Sequence, residues 1–222
     1  AVSGNDKKII DEFNKNVYLI PNGVDIKQFT TNNSQLTKHK KEKTILYIGD
    51  FRWVQNRDAL RFILEKIWPE INGKWKMENG KLTLWIVGKN IPDDLKKLGE
   101  GNIVFDETAS DKTSEIFSKA DILLAPIRVG GGTSYKILEA MASGVAVVTT
   151  RLGAEGIGAK DGREVMIGDT EEKIIKKTNE LIADPALSKK ISQNARALIE
   201  KNYDWDKITG KLESDYRQIT NN

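Results

Sequence analysis

Along this chain, short apolar runs alternate with longer stretches in which apolar positions recur every three or four residues, the marks of strands and of amphipathic helices. A first run, Val17–Ile20, stops at the turn residues Pro21, Asn22 and Gly23. Thr44–Ile48 is β-branched and apolar, ends at Gly49, and precedes a helix from about Arg57 with Leu60, Ile63, Leu64, Ile67 and Trp68 on one face. The pattern then predicts strands over Leu82–Val87, Ile103–Phe105, Asp121–Ile127, Val145–Thr149 and Glu164–Ile167. Helices are predicted between them over Asp94–Leu98, Lys112–Lys119 and Thr133–Ser143, the last closed by Gly144, where a left-handed residue is expected. Three helices, about Thr170–Ala183, Ala186–Lys201 and Asp204–Ile219, finish the chain. Strands that are nearly continuous in hydrophobicity and alternate with helices imply a parallel sheet covered on both faces, a doubly wound, Rossmann-like α/β fold. Ligands of such sheets bind beyond the carboxyl ends of the strands. The search for chemistry narrows to the segments beginning at Gly49, Gly88, Phe105, Arg128 and Thr149.

Composition removes several chemistries. The 222 residues contain no cysteine, so thiolate nucleophiles, disulfides and cysteine-ligated metals are excluded. The single histidine, His39, lies in the lysine-rich stretch Thr31–Lys43, which reads as a solvated loop. A net charge of +3 from 35 basic and 32 acidic residues provides no basic field for nucleic acid, and none is expected as a partner. No apolar run reaches the ~18 residues of a membrane span, and the opening residues lack the order of a secretory signal. A cytoplasmic location is therefore expected. No aspartate pair stands at metal-binding spacing, and no metal or other cofactor is expected.

The densest signal is Arg128-Val129-Gly130-Gly131-Gly132-Thr133, which leads from a strand into a helix. Consecutive glycines let backbone N–H groups approach an anion, and the helix start adds unpaired donors and partial positive charge. Thr133 or Ser134 is placed to cap the helix. Lys136, in the first turn, is misplaced for the helix dipole unless an anion docks there. Glu139 follows three positions on, and a carboxylate beside a phosphate site suits the hydroxyls of a ribose or sugar. The residues alone also fit a plain tight turn with Lys136 and Glu139 as a solvated pair.

The run Arg-x-Gly-Gly-Gly-Thr-x-x-Lys-Ile-Leu-Glu-Ala-Met-Ala-x-Gly, from Arg128 to Gly144, resembles the signature of the family 4 (group 1) nucleotide-sugar glycosyltransferases. Ile20–Asp25, Tyr47–Ala59, Ile86–Gly88, Asn102–Phe105, Gly153–Gly156 and Tyr203–Trp205 fall in the same family order. The resemblance implies the C-terminal, donor-binding half of a two-domain GT-B enzyme. Residues 1–16 would then end the N-terminal domain, 17–202 would form the nucleotide-sugar domain, and 203–222 would pack back toward the absent domain. A retaining transferase is implied, acting on a UDP-, GDP- or ADP-sugar and a sugar, lipid or polysaccharide acceptor. Peripheral attachment of the full-length enzyme to a membrane is compatible with this.

In that family Glu139 matches the second acidic residue of a Glu-x7-Glu motif and would hold the ribose, while the first falls at Gly131 and is absent. The family's Arg and Lys after the first strand are replaced by Asp50 and Asn56. Diphosphate charge is thus assigned to Arg128, Lys136 and Arg52, with the amides of Gly130, Gly131, Gly132 and Thr133. Gly49 is placed beside the donor, and the base near Gly88 and Phe105. Arg128, Lys136 and Glu139 form the expected catalytic set, acting by charge stabilisation of the leaving diphosphate. A non-catalytic sugar-nucleotide-binding or scaffold domain and a GT-B epimerase remain the alternative readings.

Overall fold

Ile45, Leu46 and Tyr47 are all fully buried although neighbouring strand residues point to opposite faces, so both faces of their strand are covered. The computed structural model describes residues 1–29, 42–77 and 81–220; of the Thr31–Lys43 loop, the part up to residue 41, including His39, lies outside them. Among the described residues β1 (Glu42–Ile48), β2 (Lys81–Val87), β3 (Ile103–Asp106), β4 (Ile122–Ala125), β5 (Ala146–Thr149) and β6 (Met166–Ile167) form one sheet in the order β3-β2-β1-β4-β5-β6. Every pairing is parallel, with Glu42–Ile48 opposite Lys81–Val87 and Ile122–Ala125 opposite Ala146–Thr149.

Helices cover both faces, as the doubly wound reading requires. On one side α2 (Val54–Phe62), a π-type stretch (Ile63–Ile67), α3 (Trp68–Met77) and α7 (Glu171–Ala183) bury Leu60, Ile63, Ile67, Ile71 and Leu181 against Ile45 and Tyr47. On the other, α5 (Thr113–Phe117), α6 (Tyr135–Ala142) and α8 (Pro185–Asn202) bury Phe117, Ile137, Met141, Ala195 and Ile199 against Leu46. The short α4 (Asp93–Lys96) sits between β2 and β3. Gly144 closes α6 at φ +71°, the predicted left-handed position. Asp184 caps α8 through the N–H groups of Ala186 and Leu187, with Pro185 supplying the first helical residue.

Some elements differ from the sequence pattern. Val17–Ile20 does not join the sheet; the Ile20 N–H bonds the carbonyl of Ala1 instead. Further on, Val24 bridges Asp204 at the entry to α9 (Trp205–Thr220), and a Cβ on Gly23 would lie 2.6 Å from Ile208 Cδ1, so this segment serves the closing helix. A helix, α1 (Gly4–Ile10), precedes it, with Ser3 accepting from the Asp6 N–H as its cap. Strand β4 stops at Ala125 rather than Ile127, because Pro126 has no N–H to continue the ladder. The sheet order reverses between β1 and β4, whose outgoing chains part to opposite flanks. Gly49 and the loop 126–134 therefore meet in one crevice at the carboxyl edge.

Candidate functional site

Gly49 closes β1 at a point where a side chain has no room: a Cβ would lie 2.8 Å from the Asn56 amide and 3.1 Å from Lys136 Nζ. Gly88, closing β2 at φ +141°, has its missing Cβ position only 1.7 Å from the Gly49 carbonyl oxygen. These two strand ends touch backbone to backbone. The loop after Gly49 is tied inward by Asn56, whose Nδ2 donates to the Asp50 carbonyl at 2.8 Å.

Lys136 reaches from the first turn of α6 across the crevice to this loop. Its ammonium donates to Asn56 Oδ1 at 2.7 Å and stands 4.7 Å from the centre of the Tyr47 ring, whose hydroxyl donates to the Asn56 carbonyl at 3.1 Å. Its partners are thus an amide and a ring. Burial of the amine among neutral groups lowers its pKa to about 7. A solvated pair with Glu139 does not form. Glu139 turns instead toward α5, where Thr113 Oγ1 donates to its Oε1 at 3.1 Å; burial raises its pKa and the Thr113 bond partly offsets this.

The loop after β4 is built to expose its backbone. Gly130 and Gly132 take φ values of +107° and +80°, which only glycine adopts without strain, while a Cβ on Gly132 would meet nothing within 4 Å. Ser134 occupies the cap position of α6, yet no side chain caps the helix, contrary to the expectation for Thr133 or Ser134. Thr133 Oγ1 is buried without a hydrogen-bond partner among the described residues. A helix start left uncapped beside a buried unpaired hydroxyl has donors that an acceptor could satisfy.

The other candidates are placed less favourably. Arg128 forms a two-bond pair with Asp58 of α2, at 2.8 and 3.1 Å, and lies 4.0 Å from the centre of the Phe62 ring. Arg52 is held by its neighbour Asp50, with Nε 2.9 Å from Oδ2, and this pairing lowers the Asp50 pKa to about 2. The Phe105 ring is partly buried, packed against the core and over Gly99, where a Cβ on that glycine would come within 2.4 Å of it. Gly88 gives its N–H to the Asp106 carbonyl at 3.1 Å. Gly131 stands in the open loop, and the carboxylate nearest its missing Cβ, at 3.9 Å, belongs to Glu155 in the loop after β5.

The structure thus brings together Gly49, Gly88, Lys136 and the 130–134 loop, with Glu139 one turn deeper in α6. Sequence reasoning missed the positioning roles of Tyr47, Asn56 and Thr113. Asn56 carried a signal, since it stands where the resembled family has its lysine. The geometry provides backbone donors and a buried amine for an anion, with a carboxylate alongside for hydroxyls.

The sequence profile described as "Glycosyl transferases group 1" matches residues 42–184. A protein of the Klebsiella pneumoniae cps region, an uncharacterized 44.6 kDa chain, is 28% identical over 176 residues, 76% of this chain and 44% of its own length. The lipopolysaccharide 1,2-N-acetylglucosaminetransferase of Salmonella typhimurium is 25% identical over 135 residues, 58% of this chain and 34% of its own. The chain therefore spans less than half the length of the curated relatives it matches. Among solved structures, a glycosyltransferase from Rickettsia africae superposes with a TM-score of 0.76 at 17% identity, covering 100% of this chain and 63% of that one. Anabaena HepE in complex with UDP and glucose gives a TM-score of 0.70 at 18% identity, covering 90% and 56%. The C-terminal domain of a group 1 protein from Francisella tularensis is covered completely, at 82% of this chain, with a TM-score of 0.61 and 22% identity.

Proposed function

This chain belongs to the glycosyl transferases of group 1, and we propose that it binds a nucleoside diphosphate sugar in the crevice between β1 and β4 and holds it for retaining transfer to an acceptor. The observation that carries this reading is the Lys136 amine, buried among neutral partners beside an uncapped helix start. A buried amine without a counter-charge is costly, and a diphosphate lying over Gly130–Ser134 supplies that charge. Glu139, steadied by Thr113, takes the ribose hydroxyls. As the bond to the sugar breaks, negative charge grows on the departing diphosphate, and Lys136 with the loop amides stabilises it there. The acceptor hydroxyl attacks the anomeric carbon from the face the diphosphate leaves, and its proton passes to the departing phosphate oxygen, so configuration is retained.

UDP is the first nucleotide to test, because UDP accompanies the Anabaena structure of similar fold. A hexose or N-acetylhexosamine donor is in keeping with the N-acetylglucosaminetransferase activity of the Salmonella relative. Residues 17–202 are assigned to donor binding, and the segments 1–16 and 203–222 to contact with a second domain that holds a sugar, lipid or polysaccharide acceptor. Ile9, Phe13, Trp205 and Tyr216, apolar and exposed on those two segments, suit such a contact, with Phe13 85% exposed. No helix among the described residues is long and apolar enough to cross a membrane, and the proposed setting is the cytoplasm or its membrane surface.

Titration calorimetry with UDP, GDP and ADP tests the reading. One of the three is expected to bind with a dissociation constant below about a millimolar, a modest −4 kcal/mol. If all three fail at that concentration, the proposal falls.

A further inference from the structure

Glu155 is the acidic side chain that meets the exposed loop at Gly131, and nothing in the diphosphate or ribose reading uses it. Its own loop is tightly fixed. A Cβ on Gly153 would strike Thr149 Oγ1 at 2.1 Å, and the Gly153 N–H is held by Thr150 Oγ1 at 3.0 Å. The Tyr203 hydroxyl lies 2.8 Å from the Ile157 carbonyl and 3.0 Å from that of Gly156. Gly156, at φ +76°, brings the loop against the unpartnered Thr133 hydroxyl, 2.9 Å from where its Cβ would be. The carboxylate is therefore placed at the glycine loop by the fold itself.

The sign of its charge limits what it can face. A carboxylate repels the diphosphate that the neighbouring amides and Lys136 attract, so its useful contacts lie on the neutral, hydroxyl-bearing part of a ligand. The ribose is already matched by Glu139. Resting on the nucleotide-sugar reading above, we infer that Glu155 accepts hydrogen bonds from the hydroxyls of the donor sugar and selects among sugars by where those hydroxyls point. It stands, on a different loop, 3.9 Å from where a side chain on Gly131 would begin. Each such charge-assisted bond is worth on the order of tenfold in affinity.

The test compares affinities for a nucleoside diphosphate and for its sugar conjugates, measured on this chain by calorimetry: UDP against UDP-glucose and UDP-N-acetylglucosamine, or the GDP or ADP counterparts where the base titration selects them. Glu155→Gln should leave the diphosphate within about twofold and weaken the preferred sugar conjugate on the order of tenfold. Gly131 is not in the left-handed region and has room for a side chain, so the exchange Gly131→Glu with Glu155→Gln should recover part of that loss. Glu139→Ala, by contrast, should weaken both ligands together. Equal losses for diphosphate and conjugate in Glu155→Gln, or no loss for either, would overturn the inference while leaving the nucleotide site intact. A wild-type chain that binds no nucleoside diphosphate would overturn both.

Discussion

In the loop that follows β1, the polar groups satisfy one another: Asp50 holds Arg52, Asn56 holds the Asp50 carbonyl, and Tyr47 holds Asn56. Beside it, the loop that follows β4 leaves its helix uncapped, a hydroxyl unpaired and two glycines in the left-handed region. The two loops meet in the same crevice but differ in what they keep in reserve. A loop that is complete within itself can only position its neighbours, whereas one with unmet hydrogen-bonding groups has donors left for a ligand to use. Lys136 joins them, since it starts in the second loop and ends in the first.

Glycine replacement should separate the two loops most sharply. Gly88→Ala, at the close of β2, would drive a Cβ into the Gly49 carbonyl that opens the loop after β1, and is expected to cost more than about 3 kcal/mol of stability in denaturant unfolding. Gly132→Ala, strained in dihedral but with open space around it, should cost only about 1 kcal/mol. Similar costs would dissolve the distinction between a packed loop and an open one.

Removing the connecting amine comes next in size. Lys136→Met is expected to weaken diphosphate binding by about 2 kcal/mol, roughly thirtyfold, with much less effect on the nucleoside alone. Equal losses for both would make Lys136 a structural residue.

The same residue fixes a pH dependence. Its pKa is near 7 in the folded chain and 10.5 ordinarily, so the unfolded chain binds more protons between these values. Stability should rise with pH across that window. A diphosphate prefers the ammonium, so its affinity should fall as pH rises from about 7.5 to 9, with proton uptake on binding. Both trends should vanish in Lys136→Met.

Arg128→Ala is expected to be the mildest. Its pair with Asp58 is 43% and 28% exposed, so the change should cost less than about 1 kcal/mol of stability and under about threefold in diphosphate affinity. A larger loss of affinity would mean that Arg128 leaves Asp58 for the ligand.

Sheet and helices were legible because burial on two faces writes itself into sequence as apolar runs and helical stripes. Val17–Ile20 misled because an apolar run of four does not say which surface buries it; here it lies beside residue 1 and near the closing helix. The glycine loop could be read because glycine and the helix dipole act locally. Lys136 could not be read in full, since the amide that receives it stands 80 residues earlier in the chain. The pairing of Arg128 is hidden for the same reason: its partner Asp58 is 70 residues distant, and spacing carries no trace of such a pair. Glu155 likewise approaches Gly131 from another strand's exit.

Tyr203 ties the entrance of the last helix to the carbonyls of Gly156 and Ile157. For anyone assembling hybrid enzymes from related chains, this makes the closing segment and the 152–158 loop a single transplantable unit. A graft that exchanges the final helix and keeps the old loop would leave the fold standing while loosening the Gly156–Ile157 backbone that sets Glu155 beside Gly131.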